Sequence, residues 1–398
     1  MIYKLSKEEI TAQEFHFNAL KESTPKALES VRKILSENGF KEAFDTISSW
    51  TGYASTPIYN LCHLADDLGL GEIYYKDEGS RFSLKSFKAL GGAYAVKKAI
   101  DINIGRLPSL GHISADLLNR VKAFTVASAT DGNHGRSVAW GAKMFGCSCV
   151  IFIHEKVSEY REEQLKNLGA KVVRKGKNYD ESVRIAQEVS SLNNWQVISD
   201  TSYEGYLDIP KYVMHGYEVM AHEAIKLQNM SPTHVFLQTG VGSMAAGGAA
   251  NLYRGMRTPP KIILVDPQKA DCWVKSIQKG KPVRAKGDLD TFMAGLACGE
   301  VSVLAWEILQ NIAEAAISIS DKNAAEMMRY LFMPPNEQTK VVAGESAVGG
   351  LVGLVASMNN NRLKKNLKLT RNSKILVFGT ESDTDPEIFD SVIKNEIM

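Results

Sequence analysis

The sequence lacks the marks of secreted, membrane and nucleic-acid-binding proteins. Its five cysteines, Cys62, Cys147, Cys149, Cys272 and Cys298, are odd in number and form neither a CxxC pair nor a zinc-ligand spacing. This excludes a disulfide scaffold or zinc module and reads as reduced, mostly buried thiols of a cytosolic protein. No apolar run approaches the ~20 residues that a membrane span requires. The opening Met1-Ile-Tyr-Lys-Leu-Ser-Lys-Glu-Glu-Ile10 puts acids where a signal peptide needs an apolar core, so the expected location is the cytoplasm, away from the membrane. Excess charge is missing too: the formal net charge is +2, with both signs mixed along the chain, and nothing calls for nucleic acid. Internal repeats and low-complexity linkers are also absent. Domain limits must therefore be inferred from topology, although the polar run 359–366 reads as an exposed loop.

What the chain has is length and alternation. Its 398 residues, 44% hydrophobic and 23% charged, suit two lobes of a soluble protein rather than one core. A first helix is expected over residues 24–38, capped by Ser23 or Thr24, with Pro25 in its first turn, Ala27, Val31, Ile34 and Leu35 on one face, and Gly39 as its stop. Strands are expected at 73–76, 122–127, 148–154, 171–174, 196–199, 233–238, 261–265 and 374–378. Helices are expected between them, at 86–100, 135–145, 158–168, 179–192 and 244–254. Such alternation predicts an α/β fold of parallel, twisted sheets flanked by helices, with chemistry in the loops beyond the strand ends.

Three loops carry the candidate chemistry. Thr239-Gly240-Val241-Gly242-Ser243-Met244 follows an apolar strand and opens a helix of small residues. Glycine there lets backbone N–H groups and the positive helix end approach a phosphate. The same loop also fits a dinucleotide fingerprint through Gly240, Gly242 and Ala245, with Asp266 ending the next strand as a ribose-binding acid, or a plain tight turn. Ser128-Ala-Thr-Asp131-Gly-Asn133-His134-Gly135-Arg136 gathers polar groups around two glycines. Asn133 can donate to an oxygen, Thr130 and the loop amides can bind a carboxylate, and Asp131 offers a charge or a base. Ser86-Phe87-Lys88-Ala-Leu-Gly91-Gly92-Ala93 follows the charged run Lys76-Asp-Glu-Gly-Ser-Arg81. Beside Phe87 and Leu90, Lys88 is placed to lose solvent, which favours the neutral amine needed for a Schiff base. Taken singly, the second loop also reads as a structural turn and Lys88 as a solvated helix lysine.

In this order, S-F-K-x-x-G-G-A, A-T-D-G-N-H-G-R and T-G-V-G-S resemble the fold-type-II pyridoxal phosphate (PLP) enzymes, the group of threonine dehydratase and tryptophan synthase beta, from about Thr51 to the C-terminus. The resemblance implies two domains, each a mostly parallel twisted sheet flanked by helices: a large PLP-binding domain of residues 1–84 and 201–398, and a small domain of 85–200, with the active site in the cleft between them. It also implies pyridoxal 5'-phosphate as cofactor, carried by Lys88. Asn133 would bond the phenolic oxygen, Gly240, Val241, Gly242 and Ser243 would hold the phosphate, and Thr380 would lie opposite the pyridine nitrogen, with Glu381 leaving an acid there open. Glu345-Ser346 resembles a further cofactor-side loop.

Where the dehydratases begin the G-N-H loop with serines, this chain has Asp131. With Asp200-Thr-Ser-Tyr-Glu204-Gly-Tyr and Gly379-Thr380-Glu381-Ser-Asp-Thr-Asp385, that departure resembles the diaminopropionate ammonia-lyases. Their substrate carries an ammonium on its beta carbon, and Asp131 and Asp200, each after a strand of the smaller lobe, could meet at one rim to pair with it or accept protons. Asp200 also reads as a helix-cap acid. The implied reaction is elimination from a small amino-acid substrate to pyruvate and two ammonia molecules, with Lys88 as base for the L form and Asp131 for the D form. Asp200 would bind the beta ammonium or assist. The resemblance further implies a homodimer. Alternatives are a serine or threonine dehydratase or a related beta-eliminating PLP enzyme, a nicotinamide-dependent (NAD) oxidoreductase built on Gly240, Gly242, Ala245 and Asp266, or an amino-acid-binding regulatory protein.

Overall fold

Two sheets account for the alternation of strands and helices in a computed structural model, which describes residues 3–107, 114–130, 132–155, 157–177, 179–335 and 339–397, Tyr179 and Asp180 without side chains. The strands are β1 (Glu14–Phe17), β2 (Ile58–Asn60), β3 (Glu72–Asp77), β4 (Thr125–Ala129), β5 (Ser148–Ile153), β6 (Lys171–Arg174), β7 (Gln196–Val197), β8 (His234–Gln238), β9 (Lys261–Pro267), β10 (Ala313–Ile319) and β11 (Lys374–Gly379). Seven form a sheet in the order β1-β10-β9-β8-β11-β3-β2, and four form a second in the order β6-β5-β4-β7. The inner pairs are parallel, while β1 and β2 close the larger sheet antiparallel. Parallel strands covered on both faces read as continuous apolar runs, and every residue of β8 is buried.

Contacts divide the chain into two units. One comprises residues 1–37, 55–86 and 220–398 and holds the seven-stranded sheet; the other comprises 38–54 and 87–219 and holds the four-stranded sheet. Residues 38–54 and 201–219, assigned to the large domain from the sequence, group here with the second unit. Trp50 packs edge-on against Trp140 and Phe145, and Lys98 pairs with Glu42 at 2.8 Å, so the first of these segments has its partners there.

The first helix is shorter than expected. It ends at Ile34, Leu35 turns extended (φ −115°, ψ 91°), and a second helix, Glu37–Ser48, runs through Gly39. Leu35 is buried and its carbonyl accepts from the Arg254 side chain, which replaces the lost helical bond. Gly39 costs a helix only ~1 kcal/mol, less than burial of Ala43 and Ile47 on the new face returns. Residues 122 and 123 belong to the helix Ala115–Ala123 rather than to β4. Among the described residues no helix is long and apolar enough to cross a membrane.

Glycines bring helices of the second unit into close approach. A Cβ at Gly91 would lie 2.7 Å from the Val213 carbonyl oxygen and 2.4 Å from the Tyr217 ring, and one at Gly216 would lie 2.4 Å from the Leu90 carbonyl oxygen. The helices Lys88–Asn103 and Asp208–His222 therefore meet backbone to backbone. Gly91→Ala is expected to destabilise the protein by ~1–3 kcal/mol through overpacking, read as a lower urea midpoint; an unchanged midpoint would show that the helices can part without cost.

Candidate active site

The chain reaches Lys88 through a strained turn. Phe82, Ser83 and Lys85 have φ of 49°, 59° and 58°, in the left-handed region that costs an L-residue ~1–2 kcal/mol. Neighbouring segments hold the turn. The Ser382 amide donates to the Lys85 carbonyl at 3.0 Å, Ser86 forms a bridge with Glu381, and Lys85 pairs with Asp383 at 2.8 Å. Beneath it lies a buried charge network. Arg81 donates to both Glu223 carboxylate oxygens, each at 2.8 Å, and to Glu78 at 2.8 and 2.9 Å. Lys76 reaches Glu223 at 2.7 Å and the Thr56 carbonyl at 2.8 Å. Burial opposes ionisation of Glu223, but Arg81 and Lys76 outweigh it and hold the carboxyl below its usual range. The only sequence signal for this network is the charged run 76–81.

Lys88 begins the helix Lys88–Asn103. Its Nζ lies 2.5 Å from Asp200 Oδ2, 5.3 Å from the Phe87 ring centroid and 5.6 Å from that of Tyr217. The Lys88 and Asp200 side chains are 19% and 17% exposed, so the amine faces an acid and two rings more than water. Burial pushes the Asp200 carboxyl up, yet the Lys88 ammonium and His134 overcome it, leaving the group well below the ordinary carboxylate range. Burial also raises the Tyr217 phenol.

Asp200 is placed by the sheet. β4 and β7 are parallel neighbours, Val126 opposite Gln196 and Ala127 opposite Val197, so the loops that follow them leave the same sheet edge side by side. Asp131, in the loop after β4, lies outside the described residues. Next to it, the Gly132 amide donates to Thr130 Oγ1 at 3.3 Å, and Asn133 opens the helix Asn133–Phe145, its Oδ1 accepting from Arg136 at 3.4 Å. His134, the next residue of the loop, is buried close to Asp200. Its Nε2 is 3.1 Å from the Ile198 carbonyl oxygen and its Nδ1 is 4.0 Å from Asp200 Oδ2.

The glycine loop belongs to the other unit, between β8 and the helix Ser243–Gly255. Gly242 has φ +96°, and a Cβ there would meet the Trp273 ring at 2.2 Å. Trp273 Nε1 donates to the Gly240 carbonyl at 3.0 Å, and the Ser302 amide to that of Val241 at 2.9 Å. These bonds take up loop carbonyls and fix the turn. Because β8 and β11 are neighbours, Thr380 lies beside the loop's base: Gln238 Nε2 donates to its hydroxyl at 3.1 Å. Glu381 is buried, and its Oε1 accepts the Ser346 amide at 3.0 Å. The Glu345-Ser346 turn is thus tied to Glu381, and to Gly295, whose amide donates to Ser346 Oγ at 3.0 Å.

Residues 50–380 match the family model described as pyridoxal-phosphate dependent enzyme. A diaminopropionate ammonia-lyase of Escherichia coli K12 is 39% identical over 355 residues, 86% of this chain and 88% of that one. The chain belongs to the pyridoxal-phosphate-dependent enzymes, in the diaminopropionate ammonia-lyase family. The holo crystal structure of Escherichia coli diaminopropionate ammonia lyase is similar at TM-score 0.86 and 34% identity, covering 97% of this chain and 98% of that one. That enzyme in complex with an aminoacrylate-PLP azomethine reaction intermediate matches at TM-score 0.83 and 34% identity over 100% and 99%.

The cofactor of this lyase is pyridoxal 5'-phosphate. Its residues suit that group. Gly242, in the left-handed region with the Trp273 ring where a Cβ would stand, lets the loop turn tightly into the Ser243–Gly255 helix, whose positive N-terminal end is the kind that binds a phosphate. Lys88 supplies an amine largely withdrawn from solvent.

Asp266 does not play the ribose-binding part open to it in the oxidoreductase reading. It is 1% exposed, its Oδ2 accepts the Trp273 and Val274 amides at 2.8 and 3.0 Å, and its Oδ1 contacts the Thr239 hydroxyl. Burial, the largest influence, raises its carboxyl to about 8 despite these bonds. The Thr239 hydroxyl that donates to Asp266 also lies 3.1 Å from the Val265 carbonyl oxygen, so its one proton is shared between two acceptors and offsets little of the cost of burial. A carboxyl raised on folding contributes stability that is complete below pH ~4 and is lost as pH rises toward 8. Asp266→Asn, which keeps a donor and an acceptor, should flatten that loss. The urea midpoint of the wild type should fall further than the variant's between pH 5 and pH 8; parallel curves would mean that Asp266 is ionised throughout.

Proposed function

We propose that this enzyme eliminates the beta amino group of 2,3-diaminopropionate, in its L and D forms, and yields pyruvate and two ammonia molecules. The observation that carries this reading is the acid against the lysine, Asp200 at 2.5 Å from Lys88. A substrate with a beta ammonium needs a carboxylate beside the reacting carbons, where the neutral hydroxyl of serine or threonine does not. Lys88 would carry the cofactor, Asn133 would donate to its phenolic oxygen, and Gly240, Val241, Gly242 and Ser243 would hold its phosphate. Thr380 accepts from Gln238 and keeps its own proton to donate to the pyridine nitrogen.

When bound, pyridoxal phosphate supplies the sink for the electron pair left as the alpha C–H bond breaks. Lys88, as the neutral amine, takes the alpha proton of the L form, and Asp131 takes that of the D form from the opposite face. Asp200 pairs with the beta ammonium and holds it in the charged form, so that when the C–N bond breaks and its electron pair passes to nitrogen the group departs with its three hydrogens as neutral ammonia. The unsaturated amino acid set free hydrolyses to pyruvate and the second ammonia. We further assign the enzyme to the cytoplasm, a reading supported by its free cysteines, as a homodimer. Light scattering should return twice the chain mass, and a monomer would overturn the assembly.

Pyruvate and ammonia release from 2,3-diaminopropionate, with L-serine and L-threonine in parallel, tests the reaction. Two ammonia per pyruvate are expected, selectively from the diamino acid and abolished by Lys88→Ala. Asp131→Asn should lower kcat/KM for the D form by roughly 100-fold or more, as removal of a general base does, and affect the L form far less. Equal losses would reject the two-base division, and turnover of serine or threonine alone would make the enzyme a dehydratase.

A further inference from the structure

His134 is buried in the second unit, with a constraint at each ring nitrogen. The Ile198 carbonyl oxygen, 3.1 Å from Nε2, can only accept, so Nε2 carries the proton. In the neutral ring Nδ1 is then bare. Among the described residues it is buried with no hydrogen-bond partner, 4.0 Å from the Asp200 Oδ2 that Lys88 contacts. An orphaned acceptor aimed at a carboxylate is costly unless a proton comes between them.

We propose that His134 is a positioning residue that stores the proton Lys88 must lose to become the reactive amine. The inference rests on the reading of Lys88 as the cofactor lysine. An N–H bond at Lys88 Nζ breaks, and its proton passes to Asp200 Oδ2. A small rotation of that carboxylate brings it within hydrogen-bond reach of His134, where the O–H bond breaks as Nδ1–H forms. Ammonium, carboxylate and neutral imidazole become amine, carboxylate and imidazolium. The net charge of the trio is unchanged, so the exchange avoids the penalty of creating a lone buried charge.

The surrounding charges point the same way. Burial lowers the affinity of His134 for a second proton, Asp200 raises it, and the Lys88 ammonium lowers it again. Loss of that ammonium therefore leaves Asp200 to draw a proton onto Nδ1. The other titratable groups facing the trio are Tyr217, whose ring lies by Lys88 Nζ, and Tyr206, whose hydroxyl donates to the Val197 carbonyl at 2.9 Å. Burial raises both phenols, so they stay neutral; Asp131 lies outside the described residues.

Two measurements on the full chain stripped of cofactor test this without substrate, so they stand or fall apart from the elimination assay. Nitrogen-15 NMR of labelled histidine at pH 7.5 should show His134 protonated at Nε2 alone in the wild type and at both nitrogens in Lys88→Ala, its titration shifted up by about one pH unit or more. A ring that stays neutral in Lys88→Ala, or that carries its proton on Nδ1 in the wild type, would overturn the proposal. His134→Gln keeps a donor for Ile198 and removes Nδ1. Its rate of bonding to added pyridoxal phosphate, followed by absorbance, should fall about tenfold at pH 7 and recover about one pH unit higher. A wild-type rate and pH dependence would reduce His134 to a structural support.

Discussion

A carboxylate stays ionised in a protein interior only where cations or hydrogen-bond donors replace its water, and Glu223 is supplied by Arg81 and Lys76. Taking away one member of such a cluster leaves the others buried and uncompensated, at about 3–5 kcal/mol, so the partners are confined to one geometry. Glu223 sits in a π-helical turn, Glu223–Leu227, that directly follows the helix Asp208–His222. Arg81 and Lys76 come from the far end of β3 and the turn beyond it, and the Thr56 amide adds a bond at 3.2 Å. The cluster thereby fixes where β3 stops and where the left-handed turn Phe82–Lys85 begins. Lys88 is three residues further on.

Three acids in this chain take different charge states from their surroundings rather than from their chemistry. Glu223 is ionised between two cations, and Asp200 is ionised by one lysine in contact with it, with His134 further off adding to the effect. Asp266, which among the described residues meets hydrogen-bond donors but no cation, is driven toward the neutral form. The contrast follows function: a permanent pair suits the scaffold, a breakable one suits the site, and a neutral acid can anchor Thr239 under the glycine loop without repelling a phosphate.

Much of the fold and site could be read from residues whose role is local. Glycine-rich turns after apolar strands announce themselves because backbone geometry demands them, and the turns expected after β4 and β8 each open a helix, at Asn133 and at Ser243. Roles set across long distances were not. His134 acquires meaning only when β4 and β7 become neighbours, and Glu223 only when residues far apart in sequence converge on it. The part of Asp266 stays open in the sequence because spacing alone cannot tell an acid turned outward from one bonded to the next helix's amides. The helix boundary at Leu35 leaves little trace in the sequence, because Gly39 is a stronger local signal than the distant Arg254 that takes up the freed carbonyl.

The short antiparallel strands at the rims of the larger sheet also bear on solubility. β10, Ala-Glu-Ala-Ala-Ile-Ser-Ile, is buried along almost its whole length and carries one charge. β1 alone separates its outer edge from that rim of the sheet. Without Glu14–Phe17, β10 would present a row of unpaired amides and carbonyls on an uncharged, β-branched tail, the kind of edge that recruits another chain. The first strand therefore acts as a guard against self-association during folding, and nascent chains in which it has yet to dock are the ones most exposed to aggregation.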